Sequence, residues 1–173
     1  LCGFSDITAL QNAIYTQTGL VVYSGMHFSS FASNQGFDYA LAYFKKALMD
    51  HLPYQLKASY FPYKKTTYLK SQIIAHHSHT PILVDENPKI TSGYWVLQKG
   101  YANGILVGGN LGSLQLLHGT DYCPDYTDKI VMIEAVSSTQ GQSDVYRFDR
   151  NLQALTHQPS FKQAKALMIG RFE

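Results

Sequence analysis

The feature that most constrains this chain is its first ten residues, LCGFSDITAL, in which a serine stands between a strand and a helix. Leu1 and Cys2 are apolar, as in the end of a buried strand, and Gly3 permits a close backbone approach. Ser5 and Asp6 then open a segment in which apolar residues recur at helical intervals. A strand, a sharp turn and a helix in this order predict an α/β fold.

Ser5 is a candidate nucleophile because it stands at the tip of that turn. The first turn of a helix leaves backbone N–H groups unpaired, so the Asp6 N–H and the helix dipole can stabilise negative charge on a carbonyl oxygen near Ser5. Ser and Asp are also among the best N-caps, a role that needs no chemistry. The Gly-x-Ser-x-Gly elbow pattern is incomplete, since Ile7 replaces its second glycine. At this point both interpretations, nucleophile and cap, stay open.

The rest of the chain continues the alternation of strands and helices. Ile7, Leu10 and Ile14 form one apolar stripe, which predicts a helix over residues 6–18 that Gly19 ends. Similar patterns predict, in chain order, a buried strand at 20–23, a helix with its core face at Phe37, Leu41, Phe44 and Leu48, a strand at 94–97, a strand at 105–107, a helix at 111–117, a strand at 129–133, a helix at 145–155 and a buried strand at 166–170. This rhythm is typical of parallel sheets.

Composition limits the class of partner. The 173 residues are 45% hydrophobic, enough to bury a core, and a net charge of +2 argues against nucleic acid or a membrane surface as partner. Cys2 and Cys123 lack Cys-x-x-Cys spacing, so we expect buried free thiols, a reducing compartment and no zinc site. No apolar run approaches the roughly 18 residues of a membrane span. We therefore expect a cytoplasmic protein.

A stretch rich in tyrosine, lysine and proline separates two halves of the chain. We place part of an N-terminal domain at residues 1–52, a linker at 53–88 and part of a C-terminal domain at 89–173. Tyrosines and lysines at residues 54–70 are typical of a surface for single-stranded nucleic acid or of a half-buried connector, and the low net charge favours the connector.

A histidine cluster lies within the linker. His76, His77 and His79 could bind a transition metal, because imidazole is a common ligand of such ions. They form no helical pair and no further ligand accompanies them, which favours a solvated loop.

Two polar residues follow predicted strands of the second half. Asn110 comes after the apolar run 105–107 and two glycines, and such a turn before a helix can cradle a phosphate. The Gly-x-Gly-x-x-Gly fingerprint is absent, so Asn110 more simply caps the helix or reaches a ligand. Glu134 ends the strand 129–133, at the edge where α/β folds expose their chemistry, although strands also end there because they reach solvent.

Taken together, several segments resemble the LD-carboxypeptidase family of serine peptidases, which includes muramoyl-tetrapeptide carboxypeptidases and microcin-immunity peptidases. The matching segments, in the order and spacing of the family, are residues 3–10, 100–111, 119–120, 130–134, 146–150 and 169–172. The resemblance implies an α/β protein, in which part of a flavodoxin-like nucleophile domain is followed by a C-terminal α/β domain with a small barrel-like sheet.

The resemblance also implies roles for four residues. Ser5 matches the nucleophile, Glu134 the carboxylate that orients a histidine, the Asp6 N–H an oxyanion-hole donor, and Asn110 a position close to the substrate. The family's histidine lies beyond the strand at 166–170, and none of the seven histidines here falls in a matching motif; the nearest in sequence is His157. We therefore expect a fragment that lacks both ends and cannot catalyse well alone.

The activity implied by the resemblance is hydrolysis of the L,D-amide before a terminal D-alanine in murein tetrapeptides, as in cell-wall recycling. No metal or organic cofactor is implied, and relatives suggest a homodimer. The alternatives are a microcin-immunity-like peptidase acting on a peptidyl or aminoacyl nucleotide and a non-catalytic peptide-binding relative. Ala135, Ser137 and Ser138 stand where the family usually has a second carboxylate, which leaves the substrate preference open.

Overall fold

The computed structural model describes residues 1–32, 37–50, 52–57, 96–136 and 142–170. The strands are β1 (Cys2–Gly3), β2 (Tyr23–Ser24), β3 (Leu106–Asn110), β4 (Ile130–Glu134) and β5 (Ala166–Ile169). The α-helices are α1 (Ile7–Thr18), α2 (Phe37–Leu48), α3 (Leu111–Gln115) and α4 (Gln142–Thr156). Short 3-10 helices cover Phe28–Ala32 and Pro159–Gln163. The strand and helix alternation confirms the predicted α/β class.

The chain divides into two compact units, one formed by residues 1–34 with 100–173 and the other by residues 35–99. All four predicted site residues belong to the first unit. The domain boundaries expected after residues 52 and 88 stay a prediction.

The main sheet consists of β3, β4 and β5, which pair in parallel and in that order. Its register places Asn110 opposite Glu134, so the last residues of β3 and β4 are neighbours. Within the described ranges the three strands form an open sheet and do not close into the small barrel that the family resemblance implied.

One face of this sheet covers the hydrophobic core. Val107, Val131 and Ile133 point into it, because alternate residues of a strand face the same side. Helices α3 and α4 and the loop before β4 complete the core with Leu111, Leu114, Leu117, Leu155 and Tyr126. The prediction of a buried strand at 166–170 is half wrong: β5 forms, but Leu167, Met168 and Ile169 are each more than 40% exposed, because β5 is an edge strand of the described sheet.

The second sheet is a short parallel pair, β1 with β2. The Gln11 side chain donates to the carbonyl groups of both Gly3 and Tyr23, which ties the pair to α1. The strand predicted at 20–23 is confirmed only at its end. Leu20 and Val21 remain 62% and 73% exposed, since β1 offers a ladder of just two residues.

Helix α1 begins one residue later than predicted and ends at Thr18 as predicted, where Gly19 follows with a left-handed backbone at φ 70°. The predicted apolar face is wrong, however. The buried residues of α1 are Thr8, Gln11 and Asn12, whereas Leu10 is 57% exposed. The helix therefore presents a polar face to the strands it contacts.

In the second unit, α2 (Phe37–Leu48) contains the predicted apolar stripe but no buried residue, so its expected core role is wrong among the described residues. The ring of Tyr43 lies between those of Tyr39 and Tyr54, at centroid distances of 4.8 and 5.9 Å. The Tyr43 hydroxyl donates to the Gln55 carbonyl and accepts from the Lys57 N–H. Aromatic packing with satisfied hydroxyls thus joins the helix to the segment that follows it.

Several sequence predictions lie outside the described residues: the histidine cluster at 76–79, most of the tyrosine and lysine stretch, the first half of the strand at 94–97, and Ser137 and Ser138. Among the helices that the structure does describe, none has the length and apolar character needed to cross a membrane.

Candidate active site

Ser5 occupies a strained turn between β1 and α1. Its φ of 62° is left-handed, which costs a residue other than glycine about 1–3 kcal/mol. The residue is half-buried, so its hydroxyl is not enclosed in the core. A serine on a sharp strand-to-helix turn is the geometry of a nucleophile elbow.

The helix-cap interpretation does not account for this turn. Asp6 is the N-cap by position, but its side chain makes no capping hydrogen bond. The first bond is made by backbone instead, from the Thr8 N–H to the Ser5 carbonyl at 3.0 Å. Because α1 begins at Ile7, the Asp6 N–H precedes the donors that pair within the helix.

The second half of β3 needs both of its glycines. Gly108 has φ 116°, and a Cβ there would lie 2.0 Å from the Met132 carbonyl oxygen. Gly109 has φ 132°, and its Cβ would lie 2.5 Å from the Thr8 hydroxyl. The glycines therefore allow β3 to approach both β4 and α1.

Asn110 caps α3, as one of the two sequence interpretations expected. Its Oδ1 accepts from the Ser113 N–H at 3.1 Å. Since an N–H can donate only to the oxygen of the amide, this bond fixes the orientation of the side chain.

Two side chains of α1 bond to the edge of β3 that β4 does not use. Asn12 accepts from the Gly108 N–H at 3.0 Å and donates to the Gly108 carbonyl at 2.8 Å. Thr8 accepts from the Asn110 N–H at 2.9 Å. These contacts satisfy buried backbone groups and fix the start of α1 against the end of β3.

Glu134 ends β4 opposite Asn110 and is half-buried. Gly170, just after β5, lies close beside it: a Cβ on Gly170 would be 2.9 Å from the Glu134 Cβ. The Gly170 N–H donates to the Ile133 carbonyl at 2.7 Å, which holds the two chain segments together. The backbone thus restricts the space available to Glu134.

A further hydroxyl connects these parts. Ser113 Oγ donates to Asp6 Oδ1 at 2.8 Å and lies 3.3 Å from Asn110 Oδ1. The structure therefore joins Asp6 to Asn110 through one side chain, with Ser5 next to Asp6 in the chain and Glu134 next to Asn110 in the sheet. The roles predicted for these four residues remain predictions, but the fold brings them to one region of the first unit.

Three histidines are described, and each has contacts elsewhere. The His27 ring packs at 5.2 Å from that of Phe4. His118 Nε2 lies 3.4 Å from the Tyr126 hydroxyl, and burial lowers the pKa of His118 below its ordinary value. His157 Nε2 is 2.8 Å from Gln153 Nε2 on the same helix.

Both cysteines are free thiols, as predicted, but half-buried rather than fully buried. Desolvation raises the pKa of the Cys123 thiol. Among the described residues there is no group of three or more His, Cys, Asp or Glu side chains suited to hold a metal ion.

A separate groove of about 280 Å³ opens between α1, β2 and β3. Apolar side chains including Val21, Val22, Leu106 and Met132 line it, and none of the four predicted site residues does. Ser24 lines this groove, but no described acidic or basic side chain lines it that could activate the hydroxyl, so the strand ends remain the candidate site.

Sequence reasoning did not identify Thr8, Asn12 and Ser113. Thr8 and Asn12 lie four residues apart and so share a helix face, which is the one local signal that they act together. Their partners lie 96 and 102 positions further along the chain, and Ser113 lies 107 positions from Asp6. Separations of this size leave no local pattern.

The fold and the site together define an α/β protein with a serine on a left-handed elbow beside polar residues at the ends of parallel strands. Comparisons with known proteins agree. Residues 103–173 match the LD-carboxypeptidase C-terminal domain. “Putative carboxypeptidase YocD” of Bacillus subtilis is 43% identical over 176 residues, covering all of this chain and 48% of that protein.

Solved structures show the same fold. The crystal structure of an MccF-like protein from Bacillus anthracis matches 99% of the chain and 48% of its own, with a TM-score of 0.71 and 36% identity. That of muramoyltetrapeptide carboxypeptidase from Oxalobacter formigenes matches 99% of the chain and 45% of its own, with a TM-score of 0.64 and 22% identity. The chain belongs to the LD-carboxypeptidase family, and it spans about half the length of the curated relatives it matches.

Proposed function

We propose that this chain carries the nucleophile part of a serine-type LD-carboxypeptidase site. The observation that carries the proposal is the left-handed Ser5, in the same region as Asp6, Asn110 and Glu134. Bonds from α1 to β3 and from Ser113 to Asp6, and the pairing of β3 with β4, hold these residues there. Family membership supports the same class of chemistry. In this proposal the protein is a peptidase and hydrolase.

The chemistry follows from the roles of the residues. The Ser5 hydroxyl attacks the carbonyl carbon of the scissile amide, and an imidazole takes its proton. The Asp6 N–H and the N-terminal end of α1 stabilise the oxyanion that forms. Glu134 holds the imidazole in the required tautomer, and the amine leaves with the proton to give an acyl-enzyme on Ser5. The resemblance places that histidine beyond the described residues.

For the substrate, we propose the L,D-amide before a terminal D-alanine in murein tetrapeptides. The likeness to muramoyltetrapeptide carboxypeptidase is at the level of the fold, and it is compatible with this substrate. The Asn110 amide oxygen accepts from Ser113, and the NH₂ group of the same amide is suited to donate to a carbonyl or carboxylate oxygen of a peptide. A role in cell-wall recycling, a cytoplasmic location and a homodimer belong to the same proposal.

The second candidate is a peptidase that acts on a peptidyl or aminoacyl nucleotide. The MccF-like protein from Bacillus anthracis favours it, because that structure is 36% identical to the chain. Assays with a murein tetrapeptide and with an aminoacyl nucleotide analogue, run side by side, separate the two. The faster turnover identifies the substrate class.

The test of the nucleophile is Ser5→Ala in the full-length protein, with release of D-alanine as the readout. We expect turnover to fall by roughly 10⁴-fold or more, since removal of a triad serine leaves only binding and oxyanion stabilisation. Ser24→Ala, at an exposed serine of β2, is the matched control and should keep full activity. Undiminished release of D-alanine by Ser5→Ala would refute the assignment.

Glu134→Gln tests the carboxylate. It keeps the size of the side chain but cannot stabilise an imidazolium, so we expect the rate to fall by roughly 10³–10⁴-fold without unfolding. A large loss of thermal stability in place of a specific loss of rate would indicate a structural residue.

A further inference from the structure

Ser113 lies in the first turn of α3 and is only 4% exposed. Its hydroxyl has two oxygen neighbours, Asp6 Oδ1 at 2.8 Å and Asn110 Oδ1 at 3.3 Å. Its backbone N–H already donates to the same Asn110 oxygen at 3.1 Å. One residue thus contacts both the elbow and the cap of α3.

The Ser113 hydroxyl has a single proton and donates it mainly to Asp6. That contact is the shorter of the two, and a hydrogen bond to an ionised carboxylate is about twice as strong as one between neutral groups. The Asn110 oxygen is meanwhile satisfied by the Ser113 N–H. The two contacts are therefore compatible, and each has its own donor on Ser113.

The hydrogen bond from Ser113 holds Asp6, the residue before α1, which the bonds of Thr8 and Asn12 do not contact. Thr8 and Asn12, both in the first half of the helix, bond to the backbone of β3. Asp6 precedes the helix, its side chain is exposed, and it makes no cap bond. Ser113 thus restrains the residue whose N–H follows the candidate nucleophile.

We infer that Ser113 is a positioning residue of the site: it holds the Asp6 N–H in the direction of the oxyanion and, through its own N–H, holds the Asn110 amide toward the substrate. The inference rests on the proposed function. It deepens that function, because it identifies the side chain that keeps the oxyanion donor and the substrate-side amide in fixed relation.

The experiment measures covalent labelling of Ser5 by a fluorophosphonate probe in the full-length protein, followed by intact mass. In this reaction the serine oxygen forms a bond to phosphorus, fluoride leaves, and the hydroxyl proton passes to the base. The probe needs no knowledge of the natural substrate. The variants are Ser113→Ala, Asp6→Ala and the double variant, with Ser24→Ala as control, and all of them keep the Asp6 backbone N–H.

We expect Ser113→Ala to slow labelling roughly tenfold, the size of effect associated with one hydrogen bond to a charged group. The loss should fall on the maximal labelling rate, with the half-saturating probe concentration and the melting temperature close to those of the control. Because Ser113 acts through the Asp6 carboxylate, the double variant should be no slower than the slower single variant.

Three results would overturn the inference. Labelling of Ser113→Ala at the wild-type rate would show that the hydroxyl does not matter. Multiplying effects in the double variant would show that Ser113 acts independently of Asp6. A wild-type protein that the probe does not label at Ser5 would refute the proposed function itself, and the inference with it, which distinguishes that failure from the first two.

Discussion

Replacing Gly109 with alanine tests how the end of β3 fits against α1. Residues other than glycine rarely adopt the Gly109 backbone conformation at φ 132°, so an alanine there costs about 1–3 kcal/mol of strain. The new Cβ would also lie 2.5 Å from Thr8 Oγ1 and 2.9 Å from Thr8 Cγ2, and overpacking of this kind costs about 1–3 kcal/mol more. Together the free energy of unfolding should fall by about 2–6 kcal/mol.

Two comparisons separate these contributions. Gly19→Ala is the matched control, because Gly19 also has a left-handed backbone, at φ 70°, but no atom within 4 Å of its Cβ position. It should cost about 1–2 kcal/mol, from the backbone alone. In a Thr8→Ala background the two clashing atoms are gone and the nearest remaining one is Cβ at 3.2 Å, so Gly109→Ala should cost much less there.

Urea unfolding followed by circular dichroism measures all four variants in the full-length protein. The reasoning requires the cost of Gly109→Ala to be smaller in the Thr8→Ala background than in the wild-type background. Equal costs in both, within about 0.5 kcal/mol, would refute the contact between the strand and the helix.

Two further predictions concern the neighbours of Glu134 and the core. Gly170→Ala should lower D-alanine release by displacing Glu134, whose Cβ would be 2.9 Å from the new methyl group, and unchanged turnover would contradict this. Burial lowers the pKa of His118 from 6.5, so the unfolded chain binds the proton first and stability should fall as the pH drops below about 6.5. Urea midpoints from pH 7.5 to 5 should show this fall, and His118→Gln should reduce it.

Local patterns predicted the elements that local chemistry determines. Gly19 predicted the end of α1 because a left-handed residue is needed there. The turn at Ser5 was identifiable because apolar strand residues precede it and helical periodicity follows it. Asn110 was identifiable as a cap because its side-chain oxygen reaches an N–H three residues ahead.

Burial was harder to predict than secondary structure. The stripe of Ile7, Leu10 and Ile14 suggested an apolar contact face for α1, but the face against β3 consists of Thr8 and Asn12. The reason is that this face meets a strand edge with unpaired backbone groups, which require polar partners rather than apolar ones. Whether a helix meets the face or the edge of a sheet is a property of the tertiary arrangement.

The polar face of α1 has a consequence for how the sheet can be extended. Thr8 and Asn12 occupy the N–H groups of Gly108 and Asn110 and the carbonyl of Gly108, so that stretch of β3 cannot accept a further strand. Side chains of α1 thus prevent another strand from pairing with this part of β3. Among the described strands, the edge at β5 is therefore the better place for a further strand than residues 108–110 of β3.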